Sequence, residues 1–242
     1  MNGGERESAA DEQPIRITAD MLHVARPIDT RVDFERGMSY APPATLVMLI
    51  FLAAVFAWQL NSGALATRES IIAAGALVRD RVMQGEWWRL LTATVLHGNA
   101  QHIMSNAVSL YILGMASEHA YGTHPTALIY VVSGVSGSLL SAAMGPGPSV
   151  GASGAIFGLM GAVIVLFWRY HHELLVRDKR IGVVIAAWAL LTIVSGLMTP
   201  MIDNAGHVGG LLGGMSVAWM LGRPRILSRR VVYAAPARYR IR

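Results

Sequence analysis

Residues 151–170 read GASGAIFGLMGAVIVLFWRY: almost every position is apolar or small, and the one charge is Arg169, at the far end. A run of this length matches the ~20 residues that carry a helix across a bilayer. Working outward, comparable apolar runs recur at 44–62, 99–117, 125–144, 181–199 and 205–222. The whole chain is 53% hydrophobic and only 14% charged, too apolar for an ordinary soluble domain. The expectation is an all-α membrane protein with six transmembrane helices. The run at 99–117 is the most polar, with Ser105, Asn106 and Ser109 inside it and His97, Asn99, Gln101 and His102 near its start. Polarity inside lipid calls for a reason.

The charges order these spans. Arg169, Arg177, Lys179 and Arg180 cluster around the connection between spans four and five, whereas 145–150 and 200–204 carry only Asp203. By the positive-inside tendency the basic connection faces the cytoplasm, and with six spans both termini do too. Residues 1–43 mix acidic side chains with five arginines and contain no apolar run, so they are expected to form a polar, partly disordered cytoplasmic extension without a secretory signal. Residues 44–222 form the membrane domain, and 223–242 form a basic cytoplasmic tail. The net charge of +5 comes largely from that tail, which suits anionic lipid and not nucleic acid as its partner. With no cysteine, disulfides, thiolate metal sites and a cysteine nucleophile are all excluded.

Between spans one and two, Leu65 to Thr92 interleaves Arg68, Arg79, Arg81 and Arg89 with Ile71, Ile72, Leu77, Val78, Val82, Met83, Trp87 and Trp88. Such alternation fits short helices lying in the membrane interface, hence a long, half-embedded first external loop.

In this orientation spans two, four and six all begin near the outer surface, which gathers three polar groups at one depth: His97, His102 and Asn106; Gly151 to Gly154; and Asn204 to His207. Ser153 follows a Gly-Pro-Gly-Pro stretch, where a helix start offers free N–H groups and a positive dipole end to developing negative charge. On its own it reads more readily as an N-cap serine. His207 lies in an apolar span, where an imidazole needs a partner or water; alone, it could be a hydrogen-bonded structural histidine. Gly154, Gly158 and Gly161 on span four, and Gly210 and Gly214 on span six, have the spacing of a close helix crossing. Such a crossing would draw Ser153 towards His207. His102 and Asn106 share one helix face and could donate hydrogen bonds to an oxyanion, or serve as polar glue between helices. His97 and His102, five apart on one helix, would point about 140° from each other. That spacing disfavours a metal pair, and no metal or cofactor is expected.

These residues together resemble the rhomboid intramembrane proteases, over roughly residues 44 to 222. The motifs are Trp88-Arg89, His97 with His102-x-x-x-Asn106, Gly151-x-Ser153-Gly154 and His207-x-x-Gly210-x-x-x-Gly214. The resemblance implies a six-helix bundle whose shortened fourth helix starts on the floor of a water-filled cavity. It further implies Ser153 as nucleophile, His207 as general base, and His102, Asn106 and backbone N–H groups at the oxyanion. Phe157 takes the place of an aromatic residue that supports the histidine ring, and Gly151, Gly154, Gly210, Gly214, Trp88 and Arg89 are structural supports. His97 stands outside the catalytic set. The six-span form, without a seventh helix or calcium-loop motif, is common in bacteria and implies a multi-pass protein of the plasma (inner) membrane. The expected substrates are single-span membrane proteins cut near the outer face. Two other readings are a non-catalytic relative that binds membrane proteins, which usually lacks the serine or histidine, and a small-solute transporter, which would show repeated halves absent from this sequence.

Overall fold

A computed structural model describes residues 31–145, 147–176 and 202–228, together with Ile185, Trp188, Leu190 and Val194. The fifth expected span, 181–199, therefore lies almost wholly outside the described residues, as do 1–30 and 229–242. Among the described residues, five long helices coincide with the other apolar runs: α1 (Pro43–Ser62), α5 (Ala100–Tyr121), α6 (Thr123–Met144), α7 (Ser153–Tyr170) and α8 (Asn204–Leu221). Between α1 and α5 run three short helices, α2 (Arg68–Ala74), α3 (Arg79–Met83) and α4 (Arg89–Thr92), as the alternation of charged and apolar residues there leads one to expect. A four-residue helix, α9 (Arg225–Ser228), follows α8.

Local chemistry sets the helix ends. Pro43 occupies the first turn of α1, where its missing N–H costs nothing, and Gly63 closes the helix in the left-handed region with φ 74°. Pro42, at the N-cap, has no side chain to offer, so the orphan N–H groups of Ala44 and Thr45 are taken by Glu118 from α5, each at 3.0 Å. The same buried carboxylate accepts from the hydroxyls of Thr45 (3.0 Å) and Thr123 (2.8 Å), which satisfies it four times over. Asn99 caps α5 by accepting from the His102 N–H at 2.8 Å, and Asp203 caps α8 by accepting from the Gly206 N–H at 2.8 Å.

By length and hydropathy α1, α6 and α7 each qualify as membrane-spanning. They differ in what surrounds them. Only 22% of the apolar window of α1 is buried within the protein, and Val47, Ile50, Phe51, Trp58 and Leu60 face outward, as a lipid-contacting helix requires. For α7 the figure is 61%, so it is the central helix of the bundle. It packs on α5, α6 and α8, and α8 in turn packs most extensively on α6 and α7. Lipid gives no hydrophobic drive for this association, so close packing of small residues supplies it. A Cβ at Gly210 would overlap the Gly154 carbonyl, and one at Gly214 the Gly158 carbonyl.

Residues on either side of 44–222 also pack against the bundle. Val32–Asp33 (β1) pairs in parallel with Leu174–Leu175 (β2), just after α7, and Phe34 is buried against His119 and Phe167. The polar composition of 1–43 conceals this anchor because one large apolar side chain suffices to seat the segment. Likewise Ile226 and Leu227 of α9 are buried and α9 packs on α5.

Gly214→Ala should lower stability by about 1–3 kcal/mol, because the new methyl meets backbone that cannot rotate away. Val47→Ala, on the outward face of α1, should change it far less. Thermal unfolding of the two purified variants in one detergent makes the comparison.

Candidate active site

The glycine crossing brings together the starts of α7 and α8. His207 Nε2 lies 2.9 Å from Ser153 Oγ, at hydrogen-bonding distance, although the residues are 54 apart in sequence. The imidazole stacks on Phe157, one turn beyond Ser153, with ring centroids 4.3 Å apart and planes 7° from parallel. His207 is buried, and its Nδ1 has no hydrogen-bond partner among the described residues. Gly154 lets α8 approach here: a Cβ on it would press within 3.2 Å of the Gly206 carbonyl.

Gly151, two residues before Ser153, has φ 134°, a conformation that side chains disfavour. A Cβ there would also lie 2.7 Å from Cε1 and 2.8 Å from Nε2 of His102, so the His102 ring covers Gly151 because position 151 has no side chain. Asn106, one turn further along α5, is buried and points the same way; its Nδ2 is 3.6 Å from that Cβ position and donates to nothing among the described residues. The structure thus brings Ser153, His207, His102, Asn106, Gly151, Gly154 and Phe157 to one place. Gly210 and Gly214 lie deeper along the α7–α8 seam.

His97 differs from the geometric expectation. Helix α5 starts at Ala100, so His97 precedes it and is not tied to the helical angle that would separate it from His102. The two rings meet edge to face with centroids 5.2 Å apart. Gln59 of α1 holds the His97 backbone from both sides: its Nε2 donates to the His97 carbonyl and its Oε1 accepts from the His97 N–H, each at 3.0 Å. Burial, with a smaller contribution from His102, pushes the His97 imidazole down to about 4, so it stays neutral beside His102 at physiological pH. No group of three or more metal-ligating side chains occurs among the described residues.

Trp88 and Arg89 lie apart from this cluster, in the external loop. The buried Arg89 guanidinium donates to the carbonyls of Ile72 (2.6 Å) and Ala76 (2.8 Å) and to Glu86 (2.6 Å), and it lies 4.4 Å from the Trp88 ring centroid. It therefore ties α2 to α4. The loop reaches the site through backbone: Leu77 and Ser149 exchange two hydrogen bonds of 2.9 Å, and the Gly151 N–H donates to Ala93 at 2.8 Å. A small cleft beside Ser153 is walled mostly by small residues, among them Ala93, Thr94, Gly134, Gly137 and Gly206, and Leu77, Ser149 and Asp203 also line it.

Sequence patterning pointed to neither the Gln59 clamp nor Asp203 as part of the site. Gln59 could have been noticed as an amide in an otherwise apolar span, and Asp203 as an N-cap residue directly before a helix.

A model of the Rhomboid domain matches residues 84–224. The chain belongs to the rhomboid family. Among its rhomboid relatives, Rhomboid protease GluP of Bacillus subtilis is 38% identical over 195 residues, covering 79% of this chain and 37% of that protein. RHOMBOID-like protein 5 of Arabidopsis thaliana is 37% identical over 153 residues, 61% of this chain and 48% of that one. Rhomboid protease AarA of Providencia stuartii is 29% identical over 221 residues, 80% of this chain and 77% of that one. This rhomboid chain thus spans less than half the length of the first two relatives. Rhomboid membership agrees with the mostly helical bundle and its apolar helices.

The Arg89 ties make a prediction about the loop alone. Glu86 is held below the usual carboxylate range, chiefly by its hydrogen bond from Arg89, so the pair persists at neutral pH and its contribution is lost as pH falls through that lowered value. Arg89→Ala should raise protease cleavage within residues 64–98 severalfold while leaving the helical circular-dichroism signal nearly unchanged. Timed limited proteolysis in detergent measures it.

Proposed function

We propose that the chain is an intramembrane serine endopeptidase that cuts transmembrane segments of membrane proteins near the outer face. The observation that carries this reading is the 2.9 Å contact between Ser153 Oγ and His207 Nε2 at the start of a membrane-embedded helix. Ser153 Oγ attacks the peptide carbonyl as His207 Nε2 takes its proton, forming a tetrahedral intermediate. His207 then gives the proton to the departing amine, and water hydrolyses the acyl-enzyme with the same imidazole as base. The unpartnered Asn106 Nδ2, His102 and N–H groups at the α7 start are the donors proposed for the oxyanion, helped by the positive end of the helix dipole. No carboxylate is needed on Nδ1, since stacking on Phe157 fixes the ring plane.

The substrate must unwind, because a carbonyl bonded within a helix is closed to attack. The small cleft beside Ser153, lined largely by glycines and other small residues, favours a small residue at the cleaved bond. In full, the proposal is a multi-pass protein with six spans, 44–222 as catalytic domain and both termini cytoplasmic, in a bacterial plasma membrane. The loop charges support that orientation.

In proteoliposomes with a single-span reporter, wild type should cleave the reporter and label with a fluorophosphonate. Ser153→Ala should lose both, and His207→Ala should lose cleavage. Asn106→Ala should lower kcat by about 10²-fold with little change in KM, as for a donor engaged mainly in the transition state. Activity should decline on acidification as His207 takes up a proton and can no longer act as base. Folded wild type that neither cleaves nor labels would sink the proposal. Reporters with alanine or glycine at the cleaved bond should be cut faster than all-leucine spans; equal rates would remove the assigned role of the cleft.

A further inference from the structure

Asp203 is joined to more elements than a helix cap needs. Its Oδ1 accepts from the Gly206 N–H at 2.8 Å, within the first turn of α8. Its Oδ2 accepts from Ser141 Oγ, in the last turn of α6, at 2.5 Å, and from Ser149 Oγ, in the segment leading to Ser153, at 2.6 Å. Its carbonyl accepts from the His207 N–H at 3.1 Å. Ser149 is itself held by backbone bonds to Leu77 of the external loop. One carboxylate therefore fastens the end of α6, the approach to Ser153 and the start of the helix that carries His207.

We infer that Asp203 is a positioning residue, which holds the backbones bearing Ser153 and His207 at their reacting separation through its bonds to Ser149, Ser141 and Gly206. The inference rests on the catalytic reading above. It differs from the role of an aspartate in a hydrolase triad, which bonds directly to the imidazole. Here Nδ1 of His207 has no partner among the described residues, so the ring takes its place from Phe157 and from the backbone of α8, which Asp203 fastens. Ser153 and His207 each lie four residues beyond a residue of this junction, Ser149 and Asp203 respectively, so a slip there passes directly into their separation. Displacements of about 1 Å between reacting groups can cost about 10²-fold in rate.

The test compares Asp203→Asn, Asp203→Ala, Ser149→Ala and the Asp203→Ala/Ser149→Ala double variant with wild type and Ser153→Ala in the proteoliposome assay. Asparagine keeps an acceptor for Gly206 and the side-chain size but loses the charged acceptor shared by the two serines. Asp203→Asn and Ser149→Ala should each lower kcat by about 10-fold with KM within about twofold, and the fluorophosphonate labelling rate should fall in parallel. Adding Ser149→Ala to Asp203→Ala should cost almost nothing more, since the hydroxyl acts through the carboxylate. Wild-type kcat and labelling rate in Asp203→Asn would overturn the inference and leave Asp203 as a helix cap. Independent, multiplying effects of Asp203→Ala and Ser149→Ala would overturn it as well. The two readings fail differently: a wild type that neither cleaves nor labels defeats the catalytic reading and this one with it, whereas an active wild type beside unaffected Asp203 variants defeats only this one.

Discussion

Backbone-to-backbone approach of α7 and α8 is the constraint on which the rest of the structure depends. A Cβ at Gly210 would fall on the Gly154 carbonyl, and one at Gly214 on the Gly158 carbonyl, so neither fits between the helices. Side chains at those positions would hold the helices apart and carry Ser153 and His207 out of hydrogen-bonding range. In lipid this approach is also what binds the helices, because dispersion between closely packed backbones replaces the hydrophobic drive that water would supply. The same glycines thus serve cohesion and the geometry of the site.

A second constraint follows from low dielectric. A helix start leaves N–H groups without intrahelical partners, and at three of the long helices the protein answers with a polar side chain placed at that end. Glu118 does this for α1, Asn99 for α5 and Asp203 for α8. Arg89 does the converse in the external loop, giving its N–H groups to the carbonyls of Ile72 and Ala76. Glu118 and Arg89 are buried and fully engaged, whereas several other buried side-chain atoms among the described residues have no hydrogen-bond partner. Asn106 Nδ2 is one, and it lies beside Gly151 and His102 at the opening of the site.

The helices divide the work accordingly. α1 meets lipid with most of its surface and contributes Gln59, which clamps the backbone of His97. His97 in turn packs its ring against His102, so a lipid-facing helix reaches the site through two successive contacts. The external loop reaches it through Leu77 and Ala93, whose bonds shape the segment before Ser153.

Much of this was legible in the sequence. The apolar runs marked α1, α5, α6, α7 and α8 to within a few residues, since span length is set by bilayer thickness and a helix is the one element that satisfies its own backbone there. Ser153, His207, His102 and Asn106 were marked out by their shared depth at the starts of three apolar runs and by the motifs that resemble the rhomboid family, and the glycine spacing foretold a close crossing. Other features could not be read this way. Phe34 and Ile226 look unremarkable in polar surroundings, and their burial depends on what lies beside them in space. The place of His97 turned on where α5 begins, which Asn99 settles by capping it. The junction at Asp203 joins residues 141, 149, 203 and 206, and no local pattern links positions so far apart. Sequence alone determined which segments form the long apolar helices and which polar side chains interrupt them; tertiary structure decided which of those side chains meet, because a meeting depends on how closely two backbones can pack.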